Sequence, residues 1–444
     1  MNWPTGKKWL VTVTMGIVTF SVTFASSVFS TATSATAREF GLSQEVMILG
    51  TSLFVLGFAF GPLVWSPISE LYGRKIPLFV GFFSFAIFQI PVAVAQNSWT
   101  IFICRFFGGF CASSPLAIIG GALNDFWDPV HRGIAVALFA GATFIGPVAG
   151  PIVGGFIVDS YLGWRWTEYI TAIMAFFLGS VGFLIIPETF APLLLQRRAK
   201  KIRFATRNWA IHAAADEQQV DFKELATKYL LKPFQMLFLE PILILVTVYM
   251  GFIYGEFLAA DSVYERDILM PPPGFLYLTF EAYPISFQQT RGYNAGVGSL
   301  PFISIGVGVV IGIFIIVYFS KTRFQHALEK EGHVVPEERL VPMCIGAVVL
   351  PIGMFWFGWT YYPSISPWPQ IIAGIPIGCG VLLIFLQGLN YIIDVYKQNA
   401  NSAIASNTFF RSWLGAGFPM FATAMVSGCP LFRSLLEMYD GIRS

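Results

Sequence analysis

Charged side chains are scarce in this sequence: Asp, Glu, Lys and Arg make up only 12% of 444 residues, while 55% are hydrophobic. Soluble domains carry charge on about a quarter of their residues, so that class is excluded. Histidine is scarcer still. His131, His212, His326 and His333 are scattered through polar loops without metal-ligand spacing, which removes a histidine metal centre. The five cysteines (Cys104, Cys111, Cys344, Cys379, Cys429) fall in or beside apolar runs, with neither pairing nor metal spacing. They read as small buried hydrophobes. No Gly-rich loop ends in Lys-Ser or Lys-Thr, so energy from a bound nucleotide is excluded. Nothing points to an enzyme, a cofactor or a metal, and a net charge of +2 gives no reason to expect a nucleic-acid partner. A cleavable signal peptide is not expected either, because Met1–Lys8 leads into a full-length apolar run.

What the chain does have is long apolar segments, repeatedly past the ~20 residues that a helical span needs. Spans are expected near 9–33, 45–66, 77–96, 99–122, 134–157 and 166–187, then 241–287 (interrupted), 297–319, 341–362, 369–393 and 402–427. A polar stretch over 188–235 separates the two sets and carries Arg197, Arg198, Lys200, Lys201, Arg203 and Arg207. With the N-terminus inside, the inner loops hold nineteen Lys or Arg and the outer loops four, namely Arg38, Arg165, Arg266 and Arg291. Without the central loop the ratio is still ten to four. The positive-inside rule fixes that orientation. An all-α integral membrane protein follows, with an N-terminal half over 1–187, a cytoplasmic loop over 188–235 and a C-terminal half over 236–444.

Within span 5, Gly146, Gly150 and Gly154 recur every four residues and form a bare stripe on which another helix can sit closely. Gly141 precedes them, while Pro147 and Pro151 each remove a backbone donor and bend the helix. Such a stripe serves either static packing or a seam on which two bundles rock. Arg105 lies inside span 4, where an arginine is expensive unless paired, facing water or snorkelling outward. Glu281 lies in the apolar run 276–287 as either a proton-carrying acid or an outer-edge residue in water. Gln387 and Asn390 share one face of span 10 and either orient a substrate or join helices; Asp394 below them reads as an interface residue.

Several motifs together carry a resemblance. Ser66-Pro-Ile-Ser-Glu70-Leu-Tyr-Gly73-Arg74-Lys75, between spans 2 and 3, resembles the cytoplasmic loop signature of the major facilitator superfamily, with Glu70 where that signature usually has Asp. Cys104-Arg105-Phe-Phe-Gly108-Gly109 resembles its span-4 arginine motif, and the span-5 glycine stretch its antiporter motif. Gly163-Trp164-Arg165-Trp166, Pro187-Glu188-Thr189 and Phe280-Glu281-Ala282-Tyr283-Pro284 resemble the fungal branch of twelve-span drug:proton antiporters. The resemblance implies two six-helix halves around a cavity lined by spans 1, 4, 7 and 10, in a monomeric plasma-membrane protein. It implies that Arg105 and its companion acid Glu281 couple protons, and that span 5 packs on span 8, whose Gly308 and Gly312 offer a second stripe. It also implies that Glu70, beside Arg74 and Lys75, latches the outward-facing state onto the start of span 11 near Asn401 and Ser402. The residues alone leave open a simple positive-inside anchor at a tight Gly73 turn. Proton-coupled efflux of drugs or secondary metabolites is the implied activity. Polyamine export is the alternative, although Glu281 alone supplies few cavity carboxylates.

Two places break the pattern. Residues 241–255 make an apolar helix of only ~22 Å, too short for a ~30 Å hydrocarbon core. Deleting 256–274 joins Tyr254-Gly255 to Phe275-Leu276-Tyr277 and restores a full span. Gly255-Glu256-Phe257 can be encoded with a GTGAGT splice donor, and the run Pro271-Pro272-Pro273-Gly274 with a C-rich acceptor ending CAG-G. The segment therefore reads as a retained intron or an inserted extracellular hairpin. After about Met425 the resemblance fades, and 429–444 is too short and charged to be a span, so span 12 is expected to be missing. A non-transporting, mis-spliced or truncated remnant is the reading from a different class.

Overall fold

An apolar segment in a bilayer must satisfy its own backbone hydrogen bonds, which leaves the helix as the solution for this sequence. The computed structural model describes residues 3–213, 232–259, 287, 291–333, 335–360, 365–396 and 402–413, and every regular element among them is helical. Spans 1 to 6 are Thr5–Phe40, Gln44–Tyr72, Lys75–Ala93, Ser98–Phe126, Pro129–Val158 and Arg165–Ile185. A separate helix, Ala191–Thr206, follows span 6. Among the described residues nine helices are long and apolar enough to cross a membrane, and ten if a bent pair at the start of span 7 counts as one. In that pair Lys232–Leu239 meets Pro241–Gly251 at 95°, because Glu240 precedes a proline and is pushed out of the helical region. Span 7 is Pro241–Ala259, span 8 Ala295–Glu331, span 9 Pro336–Trp359 and span 10 Pro367–Tyr396; residues 402–413 are the described part of span 11.

Helix starts fall ahead of the apolar runs because polar residues cap them. The side chains of Ser43, Asn97 and Asp128 accept the backbone N–H of Val46, Thr100 and His131. Span 2 also outlasts its apolar run. It continues through Pro62 and Pro67 to Tyr72, so Ser66 to Glu70 lie on a helix rather than in the expected loop. The true turn is Gly73-Arg74, with Gly73 at φ 90°. Span 5 runs unbroken through Pro147 and Pro151. In span 7 the helix passes the expected break at Gly255 and persists to Ala259. Most of 256–274, along with Glu281 and everything after Trp413, lies outside the described residues.

The two sets of spans repeat one packing device. Gly57 and Gly61 of span 2 bring its backbone against Phe110 of span 4, and Gly109 of span 4 meets the backbone of Phe54. Gly308 of span 8 likewise meets the backbone of Ile375 in span 10, and Gly378 of span 10 meets that of Ile305. Spans 2 and 8 thus occupy matching places in the two sets, as an internal repeat requires. Val18, Phe82, Phe85 and Ile119 belong to one buried core. Leu350, Ile377 and Leu383 belong to a second, which also takes in Phe144 and Val148 of span 5. Span 5 is the helix that reaches across.

Candidate functional site

Buried charge is expensive in an apolar bundle, so each charged residue held there marks a place the fold has invested in. Arg105 is the largest such residue. Its Nη2 donates to Glu168 Oε1 at 2.6 Å, and both side chains are fully shielded from solvent. Its Nη1 donates to the Ala25 carbonyl of span 1 at 3.0 Å. The guanidinium lies 4.1 Å from the Phe29 ring centroid and 5.4 Å from that of Phe54. Arg105 Nε and Glu168 Oε2 have no hydrogen-bond partner among the described residues. Arg105 therefore does not snorkel. Among the described residues its acid is Glu168 of span 6, whose first turn approaches span 4; the expected companion Glu281 lies outside the described residues. Glu168 follows Arg165 by three residues, just inside the start expected for span 6, and was not singled out from the sequence. The signal that identifies it is an acid on the first turn of an apolar helix.

Two further ionic knots flank this pair. On the outer side Arg165 forks onto Glu39, at 2.6 and 3.0 Å, and the Trp164 indole N–H donates to the same carboxylate at 2.6 Å. On the inner side the Glu188 carboxylate accepts the backbone N–H groups of Arg74, Lys75, Thr189 and Phe190 at 2.8–3.2 Å. Gly73 makes this possible, since a Cβ there would lie 2.5 Å from Glu188 Oε2. The Arg74 side chain then turns into its own half, donating to Asp125 at 3.4 Å and Ser69 at 2.8 Å. Lys75 sits 4.3 Å from the centroid of Phe183. Among the described residues these side-chain contacts of Arg74 and Lys75 thus lie in their own half. Glu70 is half-buried at the end of span 2, Ser402 is buried at the start of span 11, and Asn401 lies outside the described residues.

Among the described residues, a charged crossing between the halves is made at Asp394. Arg132, near the start of span 5, donates to Asp394 Oδ1 of span 10 at 3.1 Å and to Asn124 of span 4 at 2.7 Å. Arg339 of span 9 donates to Asp394 Oδ2 at 3.0 Å and stacks 3.6 Å from the Phe324 centroid. Asp128 fixes the turn that carries Arg132. Burial works against its charge, but the His131 ring and backbone N–H outweigh that and hold its carboxyl below the usual range.

The glycine stripe of span 5 also lands differently from expectation. Gly146, Gly150 and Gly154 face Thr23, Ser27 and Thr31 of span 1, rung by rung, within the first half. Those hydroxyls bond back to their own helix, so no unsatisfied donor faces the glycines. Gly308 and Gly312 turn toward span 10. Spans 5 and 8 do meet, but on another face: Gly141 touches Ile313, Gly155 touches Ala295, and Asp159 accepts the Gly296 N–H at 3.1 Å. The reason is geometric, since the 146/150/154 stripe and the Gly141/Val148/Gly155 edge lie on different sides of one helix.

Aromatic rings line the meeting of the halves. Phe144 of span 5 meets Phe385 of span 10 edge-on at 4.9 Å, and Phe60 of span 2 lies 5.8 and 6.4 Å from Phe409 and Trp413 of span 11. Behind Phe385, Gln387 and Asn390 are buried, and Gln387 Oε1 and Asn390 Nδ2 have no partner among the described residues. Two buried amides with spare capacity beside an aromatic seam suit a mostly apolar ligand with a few polar atoms.

Residues 15–419 match the family model described as Major Facilitator Superfamily. The citrinin biosynthesis cluster MFS transporter mrr1 of Monascus ruber is 54% identical over 426 residues, which cover 96% of this chain and 81% of that protein. The cercosporin MFS transporter CTB4 of Cercospora nicotianae is 45% identical over 426 residues, covering 96% and 79%. Among solved structures, the xylose transporter XylE from E. coli shares the fold, with a TM-score of 0.60 at 16% identity over 94% of this chain and 92% of that one.

Proposed function

Since the chain belongs to the major facilitator superfamily and is a multi-pass membrane transporter, we propose that it exports a small hydrophobic secondary metabolite in exchange for protons. The two halves are 1–187 and 236–444, joined by the 188–235 loop, and the protein acts as a monomer in the plasma membrane. Relatives named for citrinin and cercosporin support the substrate class. The observation that carries the coupling is the shielded Arg105–Glu168 pair with its two unpartnered atoms. A carboxylate held only by one guanidinium and one strong contact can take up a proton when its access changes, releasing Arg105 to its spare donor capacity. Glu281 is a second candidate acid on the same route. Gln387 and Asn390 orient the polar atoms of the substrate, while Phe144, Phe385, Phe60 and Phe409 hold its apolar body.

The test is efflux in a yeast strain lacking its own exporters, with citrinin as probe. Cells expressing this chain, the 256–274 deletion, and each with Glu281→Gln or Glu168→Gln are compared with and without a protonophore. Protonophore-sensitive loss of citrinin from the cells is expected, abolished by the glutamine substitutions. Efflux that ignores the protonophore would sink the antiport reading, and none from any correctly inserted form would sink transport of this class.

A further inference from the structure

From Thr189 to Ala213 the chain carries six Lys or Arg and no Asp or Glu. Most of this is the helix Ala191–Thr206, tied at its start to the membrane-proximal knot: Glu188 holds the backbone of Thr189 and Phe190, and Leu193 lies against Gly73. The helix begins six residues after span 6 ends at Ile185, which sets that end at the level of the cytoplasmic headgroups. Of its sixteen residues only Ala199 is buried. Arg197, Arg198, Lys200 and Lys201 are exposed, as a solvated charge run would be.

The apolar residues are what a solvated run does not explain. Leu195 and Ile202, two turns apart on one side, are 59% and 39% exposed. Arg207 adopts a left-handed conformation, φ 53°, that ends the helix and folds the chain back. Arg203 Nε then donates to the Ile211 carbonyl at 2.9 Å, and Trp209 meets Phe204 edge-on at 5.6 Å. Those two rings are 68% and 61% exposed. Large aromatic and aliphatic side chains interleaved with cations, beside the end of a span, match the surface of an anionic bilayer on both counts.

We propose that residues 191–209 dock on the cytoplasmic leaflet as an anionic-lipid-binding element. The exposed cations take phosphate-bearing headgroups; Arg197, Lys200 and Lys201 share a helix side with Phe204, and Phe204 with its neighbour Trp209 enters the interfacial layer. The docking is independent of which compound is transported.

The full-length chain in lipid nanodiscs tests this through the emission of Trp209, taken as the difference from Trp209→Phe. Discs are made of phosphatidylcholine alone or with phosphatidylserine, with acyl chains brominated or not. Bromine quenching of Trp209 is expected only with phosphatidylserine and is relieved at high salt. Replacing Arg197, Arg198, Lys200 and Lys201 by Gln is expected to lower the docked-to-free ratio about fivefold per cation, equivalent to ~1 kcal/mol each. These side chains are exposed, so melting of the variant serves as the folding control. Absence of quenching in every lipid overturns the proposal, as does equal quenching in neutral discs. Displacement by inorganic phosphate at millimolar concentration overturns it too, by assigning the cations to free anions.

Discussion

Arg132 and Asp394 meet across the two halves at 3.1 Å, with Asp394 shielded to 4% exposure and its second oxygen already taken by Arg339 at 3.0 Å. One carboxylate thus serves a cation from each half. The Arg339 contact stays within its half, whereas the Arg132 contact joins the two halves.

Substitutions at the two ends of this contact should separate its roles. Asp394→Asn leaves two guanidiniums facing each other without a counter-charge, and removing one member of a buried pair costs ~3–5 kcal/mol. A lower melting temperature and poor surface expression are expected. Arg132→Gln keeps the Arg339–Asp394 pair and loses the charged hydrogen bonds to Asp394 and Asn124, ~1.5–3 kcal/mol each. Normal expression with greater cytoplasmic accessibility, read by labelling of cysteines placed along spans 5 and 10, is the expected result. Equal labelling of both forms would show that the contact does not hold the inner side closed.

The Arg105–Glu168 pair yields a sharper contrast. Glu168→Gln should abolish proton-driven efflux while substrate-for-substrate exchange across proteoliposomes persists, because exchange needs no net proton movement. Replacing both residues, Arg105→Met with Glu168→Leu, removes two buried charges at once and should restore expression without restoring efflux. Loss of exchange together with efflux in a well-expressed Glu168→Gln protein would assign the pair to packing alone.

The helical class and the family were legible because they rest on long apolar runs and on motifs in order. Contacts between helices were not. Gly146, Gly150 and Gly154 announce a close helix neighbour, yet nothing in their spacing says whether it is span 1 or span 8. The identity of Arg105 announces a buried partner, but Glu168 lies 63 residues away and only the approach of span 6 to span 4 selects it. Polar caps hid the true helix starts, and the prolines in span 2 disguised a continuing helix as a loop. Asp394 was placed at an interface by its position near the end of an apolar span, where a carboxylate must find cations.

Span 7 makes a prediction about the messenger rather than the protein. A continuous helix to Ala259 ends in Glu256-Phe-Leu-Ala259, inside the segment whose removal joins Gly255 to Phe275. Transcript sequencing is expected to find a major form lacking the nineteen codons for 256–274. Uniform retention of those codons in mature message would assign the segment to a true extracellular hairpin.

The span 1–span 5 ladder gives the last prediction. A Cβ on Gly150 would collide with Ser27 Oγ and approach the Val28 backbone N to 2.9 Å. A hydroxyl can rotate away, but backbone can move only if the helices part, so side-chain size should decide the outcome. Gly150→Ala is expected to be tolerated in part and improved by Ser27→Gly, which clears the hydroxyl. Gly150→Val presses harder on the backbone that an alanine Cβ already crowds slightly, and overpacking of this kind costs about 1–3 kcal/mol. It should remain defective with Ser27→Gly, in melting temperature and in efflux alike. If the static ladder is all that matters, efflux will track the melting temperature across the series. If spans 1 and 5 also slide during transport, Gly150→Ala with Ser27→Gly will regain its stability and still export slowly, and that split is the expected result.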